Sequence, residues 1–397
     1  MSSKHASVVK CHGCGTRCGL EIPTHSSEEN YLPTQRLLLL PGDGVGPEIF
    51  AALEPVIAWV KSSMNLEVSQ AQCGYGAWLA EKETLPRRVL AEALASDAVL
   101  FGAEDNEAFS TLPPSERPAS ALLELRQKMG VFANLRPIRV ARGLVNGSAI
   151  KPEVVEGTDL LIVRELLGGL YFGTPRGVET LADGRRRAVD SLVYFSDEIE
   201  RVARAAFDLA RTRRSKVCSV DKGNVLASGA LWRDVVATVG HAEYPDVALT
   251  HMYVDNCAMQ LVRQPTQFDV IVTENTFGDI LSDCAAMISG SLGMLPSASL
   301  SAPDSSGRRR GLYEPVHGSA PDIAGKNVAN PIGTASSLAL ALEHSLRAPE
   351  LASRLNAAID GVLDAGIRTR DIGGDGSTGT REMARAIVDR LPLAQPA

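Results

Sequence analysis

An α/β architecture is predicted for this chain on three observations. Short, largely apolar runs read as buried strands, amphipathic stretches between them read as helices, and the first such strand enters a helix through a glycine turn. At 397 residues the chain exceeds the usual single core, so two domains or one large α/β domain are expected. The four leucines at 37–40 end at Pro41. The run Gly42-Asp43-Gly44-Val45-Gly46-Pro47 then leads into a helix with Pro47 in its first turn and 49–60 as its body. Further buried strands are expected at 98–101, 160–164, 216–220 and 270–273. Ser196 is expected to cap a helix opening with Asp197 and Glu198, which puts Ile199, Val202, Ala203, Ala206, Leu209 and Ala210 on one face. No internal repeat or long linker interrupts residues 37–397.

Composition excludes several classes of function. Apolar residues make up 45% and charged residues 22%, as in ordinary soluble enzymes. A net charge of -7 lacks the footprint of a nucleic-acid binder, and the arginine runs at 185–187 and 308–310 are short and isolated. No stretch reaches the roughly 18–20 apolar residues that span a bilayer. Neither a nucleic acid nor a membrane is therefore expected as a partner. Cys73, Cys218, Cys257 and Cys284 stand singly in apolar or mixed runs and are expected as reduced core residues. A cytoplasmic location follows, with a mitochondrial one as the alternative. Residues 1–36 are polar and aperiodic and are expected to form a flexible extension. Cys11, Cys14 and Cys18 there give half a zinc site, with His12 or His25 as a further donor, but no second pair follows.

Neither glycine motif supports a Rossmann fingerprint. The first carries Pro47 where the third glycine belongs. Gly374-Asp375-Gly376-Ser377-Thr378-Gly379 has the spacing but precedes only one terminal helix, so it reads as a connecting loop. The chemistry concentrates instead in Thr273-Glu274-Asn275-Thr276-Phe277-Gly278-Asp279-Ile280-Leu281-Ser282-Asp283. Asp279 and Asp283 are four apart and share a helix face, where two like charges oppose helix formation unless a cation joins them. Hard carboxylate oxygens suit Mg2+ or Mn2+. The apolar run that follows, 284–295, suggests a largely buried region.

That run, the segment Glu314-Pro-Val-His317-Gly-Ser-Ala-Pro-Asp322 through Asn330-Pro, and the shorter matches Asn134-Leu-Arg136-Pro, Val163-Arg164-Glu165, Tyr171-Phe-Gly, Asp221-Lys222-Gly-Asn224-Val225, Tyr253-Val-Asp255 and Gly366-Ile-Arg-Thr carry a resemblance over about residues 37–390. The chain resembles the family of 3-isopropylmalate, isocitrate, homoisocitrate and tartrate dehydrogenases, most closely the isopropylmalate branch. The resemblance implies a two-domain, non-Rossmann fold. One domain would comprise 37–131 with 290–397 and bind the cofactor. The other, 132–289, would carry catalysis and the homodimer interface.

The implied activity is NAD- and divalent-metal-dependent oxidative decarboxylation of (2R,3S)-3-isopropylmalate to 4-methyl-2-oxopentanoate, a step of leucine biosynthesis. Arg126, Arg136 and Arg164 match the substrate arginines, whose planar forks suit the carboxylates of a malate. Asp279 and Asp283 match the metal ligands, completed by the partner subunit's Asp255, which also lies at the substrate. The partner subunit's Lys222 matches the base for the hydroxyl proton, and Tyr171 the acid that protonates carbon. Leu122, Leu123 and the partner's Val225 match the pocket for the 3-substituent. His317, Gly318, Ser319, Ala320, Asp322, Ile323 and Asn330 match the adenosine loop, where a carboxylate at the ribose favours NAD over NADP.

The departures lie in the substrate loop. Gly102-Ala-Glu-Asp-Asn-Glu-Ala-Phe-Ser replaces a Gly-Gly-Pro stretch, Ala119 stands where the branch has glutamate, and Ala121 stands where it has glycine. Ser120 falls where the isocitrate branch places a substrate-contacting serine, but Leu122 replaces that branch's neighbouring asparagine. A bulkier 3-alkyl or 3-aryl malate, or a non-catalytic regulatory paralogue, are the alternatives. The retained Tyr171, Lys222, Asp255, Asp279 and Asp283 argue against the second.

Overall fold

The computed structural model describes residues 34–393 except 106, 114, 115 and 377. The cysteines at 11, 14 and 18, with nearly all of the expected extension, lie outside the described residues. Residues 34–393 form one ten-stranded mixed sheet covered by helices on both faces, plus a small hairpin. The strands are β1 (Gln35–Gly42), β2 (Leu66–Gln70), β3 (Ala98–Ala103), β4 (Ala133–Arg139), β5 (Asp159–Glu165), β6 (Gly177–Thr180), β7 (Arg186–Val189), β8 (Lys216–Asp221), β9 (Ala248–Tyr253), β10 (Val270–Thr273), β11 (Pro296–Leu300) and β12 (Gly311–Pro315). The helices are α1 (Gly46–Ser63), α2 (Tyr75–Glu81), α3 (Arg87–Ala95), α4 (Ala121–Met129), α5 (Pro152–Val155), α6 (Ser196–Arg211), α7 (Ala227–Glu243), α8 (Val254–Arg263), α9 (Asn275–Ser289), α10 (Ile332–His344), α11 (Pro349–Asp364) and α12 (Thr380–Val388).

The sheet order is β2-β1-β3-β12-β11-β4-β5-β10-β8-β9. Its first five strands come from 35–131 and 290–397 and its last five from 132–289, and the halves meet where β11 pairs antiparallel with β4. Within each half the outer strands run parallel. The antiparallel pairs of β11 with β12 and of β4 with β5 distinguish this sheet from a Rossmann sheet.

Two-sided burial explains the uniformly apolar strands. Leu37 and Leu39 lie under α1 with Ile49, Leu53 and Val56, while Leu38 and Leu40 face Val89, Leu125 and Met129 of α3 and α4. On β5, Leu161 and Val163 meet α6 and α7, and Leu160 and Ile162 meet Cys257, Leu261, Leu281 and Ala285 of α8 and α9.

Three local expectations are corrected. Ser196 is the first residue of α6 and not its cap; Phe195 holds that place, and its N–H donates to Glu198 at 3.0 Å, so the side chain that closes the terminus is the glutamate. Cys284 is exposed on the outer face of α9, unlike the buried Cys73, Cys218 and Cys257. The region of the paired aspartates is only partly buried: the Asp279 and Asp283 side chains are 32% and 55% exposed, because the apolar run beyond them alternates buried and outward residues at helical spacing.

Candidate active site

The site begins with two adjacent antiparallel strands. Asn134 on β4 lies opposite Arg164 on β5, and Arg136, two residues on, shares the Asn134 face. Asn134 accepts from Arg136 Nε at 2.8 Å and donates to Ser299 at 2.9 Å, which fixes the Arg136 guanidinium. Asn275 accepts from Arg164 Nε and Nη2 at 3.0 and 2.8 Å and donates to the carbonyls of Leu166 and Gly168. Arg164 also donates to Asp279. Its stem lies against α9 so closely that a Cβ at Gly278 would stand 2.6 Å from Arg164 Cγ, which explains the glycine. Arg126, near the end of α4, is paired with Glu314 of β12.

All three arginines are buried. Burial pulls the Arg136 guanidinium down to about 10, and the neighbouring Arg164 and Arg126 charges act in the same direction. Arg164 is lowered as well, chiefly by burial. Arg136 Nη1 stands 3.7 Å from Asp283, and that atom and Arg126 Nε have no hydrogen-bond partner among the described residues. Buried donors without acceptors are costly, so three cations arranged this way suit an anionic ligand.

Asp279 and Asp283 lie one turn apart on α9. The Tyr171 hydroxyl donates to Asp279 at 2.8 Å. Tyr171 closes a short turn, Gly169–Tyr171. Burial, then the bond to Asp279, pushes its phenol above the ordinary range, so it carries its proton at neutral pH. Burial likewise raises the Asp283 carboxyl; Arg136 opposes the shift and Asp279 adds to it. Two hard carboxylates with open faces fit a divalent cation. Among the described residues no third carboxylate, histidine or cysteine joins them.

Lys222 and Asp255 form a separate pair at 2.7 Å, and Lys222 holds the Asp255 carboxyl below its ordinary range. Lys222 follows β8, where buried Asp221 fixes the turn by accepting from Gly223 N–H at 2.8 Å and pairing with Arg233. Val225, beyond it, is exposed. One chain therefore presents the Lys222–Asp255 pair apart from the three arginines and the two α9 aspartates.

The loop after β12 packs on the first glycine turn. Val45 N–H donates to Ser319 O at 2.8 Å, and Gly44, at φ +58°, leaves no room for a Cβ beside that carbonyl. His317 Nε2 is buried with no hydrogen-bond partner among the described residues, Ala320 takes φ +40°, and Asp322 is exposed with no hydrogen bond or ion pair to a described residue. Left-handed backbone at a non-glycine residue is unfavourable and collects at ligand-holding loops. Gly318 is exposed, Ser319 buried and Ile323 half-buried. The Asn330 side chain is committed internally: it accepts from Ile332 N–H at 3.0 Å and donates to Asp371 at 3.1 Å, which orders the entry to α10.

Sequence reasoning gave no role to Asn134, Asn275, Glu314 or Glu104. The first three stood inside the quoted motifs; Asn134 is two residues from the Arg136 it holds, whereas Asn275 and Glu314 are 111 and 188 residues from Arg164 and Arg126. Glu104 carried no signal except its place in the altered loop.

A mixed sheet of this order, with buried arginines beside paired aspartates, matches a known family. The chain belongs to the isocitrate/isopropylmalate dehydrogenase family, whose model matches residues 36–387. It is 50% identical over 364 residues to the 3-isopropylmalate dehydrogenase of Paramagnetospirillum magneticum, covering 91% of this chain and 99% of that one. It is 52% identical to that of Brucella suis over 365 residues, again covering 91% and 99%. Among solved structures it is similar to an isocitrate dehydrogenase from Methylococcus capsulatus, at a TM-score of 0.80 and 34% identity over 91% of this chain and all of the other. A beta-decarboxylating dehydrogenase from Thermococcus kodakarensis aligns at 0.71 with 33% identity, over 90% and 96% of the two chains.

Proposed function

We propose that this chain is a 3-isopropylmalate dehydrogenase of leucine biosynthesis, acting as a homodimer with NAD and Mg2+ or Mn2+. The observation that carries the reading is the set of three buried arginines beside two aspartates one helical turn apart. Arg126, Arg136 and Arg164 take the substrate carboxylates. Asp279, Asp283 and the partner subunit's Asp255 would hold a divalent cation, which would supply Lewis acidity to the substrate, and NAD would supply the hydride acceptor for the oxidation at C2.

The chain's own groups then handle protons and orientation. The partner subunit's Lys222 accepts the 2-hydroxyl proton as the alcohol becomes a ketone. The carboxylate on C3 leaves as CO2, its bonding pair stays on the carbon skeleton, and Tyr171 returns a proton to C3. Residues 317–330 would hold the cofactor's adenosine, and Asp322 would accept from its ribose hydroxyls. The two halves of the sheet act as the two domains, with the substrate between them.

The apolar side chains of Leu122 and Leu123 support an alkyl substituent and oppose the third carboxylate of isocitrate. Ala119, smaller and uncharged where the branch has glutamate, favours tolerance of larger 3-alkyl or 3-benzyl malates. The test is NADH formation with Mg2+ or Mn2+ across isopropyl-, benzyl- and carboxymethyl-malate, the last being isocitrate. The expected order puts isopropylmalate or a bulkier homologue first. Isocitrate as the best substrate, or undiminished turnover in EDTA, would overturn the reading.

A further inference from the structure

We propose that Glu104 is a positioning residue for substrate specificity: its carboxylate, carried by the loop after β3, clamps the first turn of α4 and so sets where Leu122 and Leu123 stand. The proposal rests on reading those leucines as walls of the 3-substituent pocket. Glu104 Oε2 accepts from the Ser120 hydroxyl at 2.6 Å and Oε1 from Ala121 N–H at 2.7 Å, with a longer contact of 3.4 Å from Leu122 N–H. The Ser120 hydroxyl oxygen accepts in turn from Leu123 N–H at 3.2 Å. The opening N–H groups of a helix lack intrahelical acceptors, and a carboxylate at that end is favoured by the helix dipole. One side chain from outside the helix thus satisfies, directly or through Ser120, the amides of all three residues that open it.

The loop that supplies this carboxylate is itself anchored. Asp105 N–H donates to Asp43 at 3.1 Å, and Ala108 N–H to Asp105 at 3.2 Å. Phe109 is buried edge-on against Tyr75 and Trp78, each at 5.3 Å between ring centroids. The Thr84 hydroxyl holds Ala119 O at 2.8 Å. Burial raises the Glu104 carboxyl, and the bonds from Ser120, Ala121 and Leu122 oppose the shift. The far end of α4 is fixed separately, by buried Leu125 and Met129 and by the pairing of Arg126 with Glu314. Loosening the first turn therefore moves the leucines and leaves the carboxylate-binding arginine in place. The Ser120 hydroxyl, donating to Glu104 and accepting from Leu123, has its proton committed and does not serve a substrate carboxylate as the corresponding serine does in the isocitrate branch.

The test compares Glu104→Ala, Glu104→Gln, Ser120→Ala and Leu123→Ala in the full-length enzyme, at saturating NAD and Mg2+, on 3-isopropylmalate and on malate with no 3-substituent. Glu104→Ala is expected to lower kcat/KM for isopropylmalate about tenfold, mainly through KM, while malate changes by less than about threefold, the scale on which apolar pockets discriminate alkyl groups. Glu104→Gln, which keeps one acceptor oxygen, should recover most of the ratio, and Ser120→Ala should reduce it in part. Should Glu104→Ala not fold, the Ser120→Ala ratio decides. Equal losses on both substrates, or an unchanged ratio, overturn the clamp. An unchanged ratio in Leu123→Ala instead overturns the pocket reading; a changed ratio there with none in the Glu104 and Ser120 variants overturns the clamp alone.

Discussion

Arg126, Arg136 and Arg164 are cations taken out of water, and each depends on acceptors that the chain itself supplies. Breaking a buried ion pair from one side leaves an uncompensated charge, a loss of about 3–5 kcal/mol. Glu314→Gln, which strips Arg126 of its charged partner, is therefore expected to destabilise the protein on that scale. A denaturant midpoint within error of wild type would show that Arg126 finds another partner. Asp279 repels Asp283 across one helical turn, yet it also receives Arg164 and Tyr171. On helix electrostatics alone Asp279→Asn should leave the fold untouched; with these partners it should abolish turnover and also cost about 1–3 kcal/mol, since bonds to charged groups are the stronger ones. Thermal unfolding beside an NADH assay checks both, and full activity in the variant would remove Asp279 from the metal site.

At the scale of elements, α9 is the component on which most depends. Its inner face packs Leu281, Ala285 and Ile288 on the sheet, and Gly278 lets the Arg164 stem lie against its backbone. Gly278→Ala is expected to displace Arg164 and lower kcat/KM at least about tenfold, as small misplacements of positioning groups do. Kinetics near wild type would show that the helix can shift at no functional cost. The outer faces of α8 and α9 are unusual: Met259, Val262, Ile280 and Met287 are exposed, Met259 by 61%. Apolar side chains clustered on solvent-facing helices mark an interaction surface. In the proposed dimer this surface is covered, and the Lys222 and Asp255 pair of one subunit meets Asp279 and Asp283 of the other. Met259→Glu should give a monomer by analytical ultracentrifugation and, with it, loss of turnover. A fully active monomer would contradict the shared site.

Across the whole molecule, the loop after β12, the cofactor loop of the proposed reading, joins distant parts of the chain. Residues 317–322 follow β12 and rest on the turn after β1, while Gly325 N–H donates to Glu48 of α1 at 2.6 Å. In the proposed reading Asp322 meets the cofactor's ribose, where its charge would repel a 2′-phosphate. NAD is expected over NADP by at least about tenfold in kcat/KM, or about 1.4 kcal/mol. Asp322→Ser should narrow the gap, and equal efficiency with both cofactors in the wild type would remove Asp322 from the ribose.

Much of this was legible in the order of residues. The strands at 98–101, 160–164, 216–220 and 270–273 appear within a residue or two, because a strand buried on both faces is apolar at most positions. The spacing of Asp279 and Asp283 put them on one helix face for the same local reason. Spatial partnership was not legible. Arg126 and Glu314 are 188 residues apart, Arg164 and Asn275 are 111 apart, and nothing in either neighbourhood names the other. Ser120 had the appearance of a substrate serine until Glu104, 16 residues away, was seen to occupy its hydroxyl. Helical and strand periodicity belongs to contiguous residues and can be read from them, whereas the acceptor for a buried guanidinium or an open helix end is selected by whatever the folded sheet brings within about 3 Å.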